Sequence, residues 1–546
     1  MAVAGDTARA STLAVPVEGD PGLSTEPRNI AQQAAAWGER ALEQCSDAAE
    51  KHWRLGLVPF AGAYAVGTVA SSLRKPLWFD ELFTFYISRL SSAHDRLVAA
   101  VYDGNPPLFY ALTHASMRVF GESRLAERLP EMIGFGLLCL SLFFFVRRRC
   151  PSIYAFLAAA LPLQTGAYYY AFEGRPYGIV LGMAGVSLLA WQSAGEGRHR
   201  LAWLALLAAS IATGVSSHFY GVQIVVPLLV GEACRTLERR KVDWGVAGAM
   251  GLGLLPIPFL LPVARAIFAA QLMFTKMSAV FHAKPSLAML PAFYKTLLGP
   301  LLEPFALAFV ILALAALVWA ERAGREEPAQ RRMPRPELAA AVTYLFIPAL
   351  MLIGTGLTSG KFEDRYAISA VLGVAVLFPY LLSTTCGRWA LAPVACIAGV
   401  LLFWGAETQA PPRAMVARSH RFTPNSPLYP RNDDLPIAVA SVGTFLVSAH
   451  DAPPQVASRL TYLADVPYVV RRRQFAGEVS LAGDRQLMPG QIVDYAPFVR
   501  THSKFWVYVV SRPETEWLPS RLLAEGWKLE CKRHTGIHYL FLATRE

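Results

Sequence analysis

The chain has 546 residues, of which 54% are hydrophobic and only 17% charged, and its mean hydropathy is positive. That composition excludes a soluble enzyme built on one large core and points to a polytopic α-helical membrane protein. The net charge of +11 sits largely in short loops between apolar stretches and in a basic tail, which argues for membrane orientation and against nucleic-acid binding.

Residues 1–54 form an amino-terminal segment. It carries Asp6, Glu18 and Asp20 and no apolar core, so it does not read as a cleaved signal peptide. From Asn29 to Arg54 the Ala-rich pattern with Trp37, Leu42 and Trp53 reads as an amphipathic helix against the cytoplasmic face. Residues 55–405 hold about eleven apolar stretches, at roughly 55–74, 126–146, 152–171, 178–193, 201–217, 221–234, 244–262, 301–320, 338–357, 366–384 and 390–405. A first external loop, 75–125, contains Pro107–Phe120, where Leu108, Leu112, Ala115 and Val119 share one helical face. That is the pattern of an interfacial helix, not of a span. Residues 406–435, with Pro411-Pro412, read as a linker.

From 436 to 546 short β-rich runs appear at Ile437–Ala440, Tyr468–Val470, Phe505–Val510 and Tyr539–Leu542, with helical patterns at Pro454–Ala464 and Leu518–Glu525. This alternation predicts a small extracytoplasmic α/β domain without a Gly-rich phosphate loop. Seven scattered cysteines offer neither a disulfide framework nor a CxxC metal motif.

Cations gather in alternate loops, at Arg147-Arg148-Arg149, Arg198 with Arg200, Arg235 to Lys241, Arg322 to Arg335, and Arg388. These loops should be cytoplasmic. The amino terminus is then inside, and an odd number of spans puts the carboxyl-terminal domain outside.

Four polar clusters fall on the external side: Asp80-Glu81; Asp103 to Tyr110; Tyr168 to Tyr177, with Glu173 and Arg175; and Lys361 to Tyr366, with Arg365. Half-desolvated charges at a bilayer edge are costly, so four such clusters on one side suggest a single site assembled from several loops. Each could instead decorate a helix end, and Arg365 could simply pair with Glu363 or Asp364.

Taken in order, Trp78-Phe79-Asp80-Glu81 with Thr84, Asp103-x-x-Pro106-Pro107-Leu108-x-Tyr110, Arg128-Leu129-Pro130, Glu173-Gly174-Arg175-Pro176-Tyr177 and Arg365-Tyr366 resemble integral-membrane glycosyltransferases of the GT-C class. The similar branch is the dolichyl-phosphate-mannose protein mannosyltransferase-like group, with the lipid A aminoarabinose transferases. The resemblance covers residues 55 to about 405. That family often has His before the two prolines. Here it is Asn105, which puts a substrate or metal contact at that position in question.

The resemblance implies an inverting hexosyl or pentosyl transfer from a polyprenyl-phosphate donor to an extracytoplasmic acceptor (protein, lipid or glycan), in a bacterial-type plasma membrane among membrane lipids. It makes Asp80 the catalytic base, with Glu81 holding the acceptor or tuning Asp80. An acceptor hydroxyl needs such a base, and a departing phosphate needs a cation at that depth, for which the guanidinium fork is well suited. Arg365 is the candidate, with Lys361 and Arg175 as helpers. Asp103, Asn105, Tyr110, Glu173 and Tyr177 complete the substrate-binding set.

No His/Asp/Glu cluster has clear metal-ligand spacing, so no cofactor is expected. A divalent metal stays open, and His114 and His218 could be recruited to one. The competing readings are a transporter of sugars or lipids and a non-catalytic membrane scaffold that displays the tail domain.

Overall fold

The structure, a computed structural model, describes residues 46–275, 286–299, 333–358, 362–386, 391–409, 426–472 except 432, 477–510 and 516–545, with a few isolated positions besides. The chain enters with α1 (Trp53–Arg74) and runs through three shorter helices, α2 (Phe79–Arg89), α3 (Ala93–Asp103) and α4 (Pro107–Phe120). Then come α5 (Arg124–Arg147), α6 (Ser152–Ala160), two 3₁₀ turns (Leu161–Gln164 and Gly166–Phe172), α7 (Tyr177–Gly195) and α8 (Arg200–Ser217). A 3₁₀ turn (Phe219–Ile224) leads to α9 (Val225–Arg239), α10 (Trp244–Gly253), α11 (Pro256–Thr275) and α12 (Met289–Leu298). Last in this part are α13 (Arg335–Thr358), the short 3₁₀ turn Asp364–Tyr366, α14 (Ala370–Cys386) and α15 (Leu391–Gln409).

Among the described residues, seven helical segments are long and apolar enough to cross a membrane: α1, α5, α7, α8, α10 with α11, α13 and α15. Two further expected spans are shorter apolar helices, Ser152–Gln164 and Ala370–Thr385. The stretch at 221–234 is a 3₁₀ turn followed by part of α9, and the one at 301–320 lies largely outside the described residues, as does most of the amino-terminal segment. Large apolar side chains such as Val66, Phe259 and Leu402 point outward, as a lipid solvent allows. The bundle interior is held by close backbone approach. A Cβ on Gly182 would lie 2.2 Å from the Gly134 carbonyl oxygen, so only glycine lets α5 and α7 cross this tightly.

The loop helix α4 forms over the expected residues. It buries Phe109, Tyr110, Thr113, Ser116 and Met117 and leaves Val119 exposed. On the face carrying Leu108, Leu112, Ala115 and Val119, Ala115 and Val119 are exposed, whereas Leu108 is half-buried and Leu112 packs against the external core.

The carboxyl-terminal part is a six-stranded mixed sheet in the order β3-β2-β1-β4-β6-β5. Its strands are β1 (Ile437–Val439), β2 (Leu460–Ala464), β3 (Gln491–Asp494), β4 (Lys504–Val510), β5 (Lys528–Thr535) and β6 (His538–Thr544). The first four are parallel to one another, and β6 runs antiparallel to both β4 and β5.

Two expectations are corrected here. Tyr468–Val470 lies in a short helix, Val466–Arg471, because Asp465 Oδ1 accepts from the Tyr468 N–H at 3.0 Å and Pro467 suits a first helical turn. The stretch 454–464 is helical only over Pro454–Ala457 and then becomes β2. Four of the five β2 residues are buried, and a strand buried on both faces shows no alternation to betray it.

This sheet domain shares a hydrophobic core with the external helices. Leu82, Phe83 and Phe85 of α2 pack with Val442, Phe445 and Leu446 of the helix Val442–Asp451. Tyr86 Oη meets His450 Nδ1 at 2.8 Å, and Ser480 Oγ donates to the Tyr102 carbonyl at 3.0 Å.

Candidate active site

The first turn of α2 carries Asp80 and Glu81, where the helix amino terminus favours anions. Adjacent residues on a helix point in different directions, and the two acids part company. Glu81 turns inward and is fully buried. Arg128 of α5 grips it with two bonds, Nε to Oε1 at 2.7 Å and Nη2 to Oε2 at 2.8 Å. Lys75 approaches at 3.3 Å, and the Gly174 N–H donates at 2.7 Å. Burial alone would raise the Glu81 pKa. Arg128 first and then Lys75 outweigh it and carry the carboxyl down to about 2. Arg128 also donates to the carbonyls of Ser72, Lys75 and Pro76, so this one pair ties the end of α1 to α2 and α5. Glu81, expected to hold the acceptor or tune Asp80, has both carboxyl oxygens bonded to Arg128 in the buried interior.

A second network lies beneath Asp80. Gly104, with φ +93°, ends α3 in a conformation suited to glycine, and the chain then turns through Pro106 into α4. Arg175 Nη1 donates to both Asp103 oxygens (2.9 and 2.8 Å), to the Asp80 main-chain oxygen (3.1 Å) and to Thr84 Oγ1 (3.2 Å). The Tyr110 hydroxyl and the Asn105 amide also donate to Asp103. Glu173 is buried and receives Lys75 Nζ at 3.0 Å. Asp103, Asn105, Tyr110, Glu173 and Arg175, expected as substrate contacts, bond to one another, to Lys75 or to Asp80 and Thr84. Losing one partner of such a buried charged pair costs on the order of 3–5 kcal/mol.

Asp80 faces the other way. Its Oδ2 meets Arg365 Nη1 at 3.2 Å across 285 residues. The two side chains keep 20% and 30% of their surface accessible, against 8% or less for Lys75, Glu81, Asp103, Arg128, Glu173 and Arg175. Asp80 is thus a partner of Arg365 in the structure. Lys361 lies outside the described residues.

Beside Arg365 lies a small, partly open pocket. Tyr177 lines it, together with His218, Tyr220, Tyr366 and the apolar Val180, Leu181 and Ile368. The Tyr220 and Tyr366 rings stack at 4.2 Å. Gln223 holds this wall in place: its Nε2 donates to the Tyr366 carbonyl at 2.8 Å, and its Oε1 accepts from Ser369 at 3.2 Å.

Lys75, Tyr220 and Gln223 lie in none of the expected site positions, His218 was expected only as a recruit to a metal, and Arg128 only as part of a motif. An arginine four residues into a span was signal enough to single it out. Among the described residues no group of three His, Cys, Asp or Glu side chains is placed to hold a metal. His114 Nδ1 lies 2.7 Å from the Ser88 carbonyl, and His218 Nδ1 accepts from the Tyr220 N–H.

A family model described as dolichyl-phosphate-mannose-protein mannosyltransferase matches residues 104–265. That stretch holds Asn105, Arg128 and the Glu173–Tyr177 motif but neither Asp80 nor Arg365. The fold is similar to that of ArnT from Cupriavidus metallidurans bound to undecaprenyl phosphate, at TM-score 0.53 and 13% identity, over 90% of this chain and 98% of that one. The apo form of the same ArnT gives TM-score 0.52 at 12% identity, with the same coverage. No curated protein matches the sequence. At these identities the likeness establishes the fold, an ArnT-like helical membrane architecture with a small carboxyl-terminal sheet domain.

Proposed function

We propose that this chain is an integral-membrane glycosyltransferase that moves a sugar from a polyprenyl-phosphate donor to an acceptor outside the cytoplasm. The observation that carries this reading is the accessible Asp80–Arg365 pair at 3.2 Å, beside a pocket lined by both apolar and polar side chains. The family-model match and the fold shared with an undecaprenyl-phosphate-bound ArnT support it.

In this reading the pair is a resting state in which each side chain neutralises the other. A donor phosphate competes for Arg365 and frees Asp80. The Asp80 carboxylate takes the acceptor hydroxyl proton as the new bond from acceptor oxygen to C1 of the sugar forms. The bond from C1 to the phosphate oxygen breaks, and the electron pair leaves with the polyprenyl phosphate, whose added charge Arg365 stabilises. A single displacement of this kind inverts the sugar carbon, and one accessible carboxylate suffices for it. Arg175 keeps Asp80 in position through its main-chain oxygen and Thr84. With the basic loops inside, the site and the sheet domain lie on the extracytoplasmic side.

Asp80→Asn tests the reading, because it keeps size but cannot accept the proton. The variant should insert normally, bind donor and transfer sugar at least about a hundredfold more slowly. Near-native turnover with purified donor and acceptor would remove Asp80 as the base.

A further inference from the structure

The turn that joins α8 to α9 carries no Lys or Arg, yet it faces the same cavity. His218 opens this turn and is 7% exposed. Its Nδ1 accepts from the Tyr220 main-chain N–H at 3.0 Å. A main-chain N–H can only donate, so Nδ1 keeps its lone pair toward Tyr220. Burial first, then the charges of Arg175 and Arg365, hold the imidazole neutral and its pKa down to about 3. A neutral ring has one proton, which must then sit on Nε2. Among the described residues no partner takes that N–H. The ring lies 5.1 Å from Tyr177 and 5.9 Å from Tyr366, centre to centre. The Arg365 guanidinium lies 5.6 Å from the same Tyr366 ring.

A fixed donor in the same pocket as a cation, with Val180, Leu181 and Ile368 also in the lining, matches an amphiphile with an anionic head. We propose that His218 binds the donor lipid, giving a hydrogen bond from its Nε2–H to a phosphate oxygen next to Arg365. The inference rests on the reading of the site as a user of a polyprenyl-phosphate sugar. A donor phosphodiester carries one negative charge, which Arg365 offsets. A neutral second donor adds a directed bond without overcharging the site. That bond strengthens as the departing phosphate gains charge, so it favours the transition state over the bound donor.

Binding to the full-length, detergent-solubilised protein tests this, with farnesyl phosphate, farnesol and inorganic phosphate as probes. His218→Phe should weaken farnesyl phosphate about tenfold, the usual worth of a hydrogen bond to a charged group, and leave farnesol unchanged. His218→Gln, which keeps an N–H donor, should recover part of the loss. Arg365→Ala serves as the control for the parent reading.

If Arg365→Ala loses farnesyl phosphate and His218→Phe does not, the His218 inference fails and the transferase reading stands. If the wild type binds no farnesyl phosphate, both fall. Equal losses of farnesol and farnesyl phosphate would make His218 a packing residue. Inorganic phosphate binding as tightly as farnesyl phosphate would overturn the lipid assignment. Wild-type binding that needs a chelatable metal, lost in His218→Phe, would make His218 a metal ligand instead. Should the Phe variant fail to fold, His218→Leu takes its place under the same criteria.

Discussion

Glu81 and Arg128 give the sharpest test of how this site is held. Glu81→Gln keeps the shape of the side chain but places an NH₂ among the donors Arg128, Lys75 and the Gly174 N–H, and leaves a buried guanidinium short of its counter-charge. Breaking one side of such a pair costs on the order of 3–5 kcal/mol. Arg128 and Lys75 hold the folded Glu81 carboxyl below its usual pKa. Because the folded value is the lower one, this stability is present above about pH 4.5 and is lost as pH falls below it. The wild type should therefore lose stability across that acid window on account of Glu81, and the Gln variant should lack this part of the acid loss. Unfolding in detergent, followed by helical circular dichroism, would measure both. In the double variant Glu81→Gln/Arg128→Met no buried charge is left stranded, so stability should recover by at least about 2 kcal/mol relative to the sum of the two single losses. Additive losses in the cycle, or a Glu81→Gln variant of native stability with a raised acceptor KM, would refute the structural role and return Glu81 to the substrate.

Three further outcomes follow from the same geometry. Arg365→Ala should slow transfer from a polyprenyl-phosphate sugar by about two orders of magnitude, with only partial rescue by Lys, which lacks the planar fork; full activity in the Ala variant would take Arg365 out of the site. Asp484 is buried where the sheet domain meets α3, and burial first, then the Asp103 charge, raises its pKa to about 8. The folded state therefore favours the protonated form, and stability is lost as pH rises toward 8. Asp484→Asn should raise the melting temperature at pH 9 and change it little near pH 4; no gain at pH 9 would show that this carboxyl is not desolvated. A reporter active only outside the cytoplasm should light up when fused after Glu546 and stay dark after Arg149, whereas a dark carboxyl-terminal fusion would reverse the orientation of the site.

The parts of this protein that were readable in the sequence are those where solvent imposes a local rule. Lipid-facing helices must stay apolar, so the spans around Val66, Phe259 and Leu402 declare themselves wherever the chain is cut. Charges at a bilayer edge are expensive, so Asp80 and Arg365 stood out although 285 residues separate them. What stayed hidden depends on a partner elsewhere. The sequence cannot say which of two neighbouring acids on a first helical turn looks inward, because that is decided by Arg128 on another helix. The neutral Gln223 and His218 give no charge signal at all; Gln223 matters because it meets the Tyr366 carbonyl 143 residues away. In the sheet domain β2 was unreadable for a related reason: burial on both faces removes the alternation that marks a strand. The same division separates the roles. Asp80 and Arg365 stay partly accessible, which in the proposed reading lets them exchange their mutual bond for bonds to substrate. Glu81, Arg128, Lys75, Glu173, Asp103 and Arg175 are buried and bonded to one another, and in the proposed reading what they contribute is the fixed position from which Asp80 and Arg365 act.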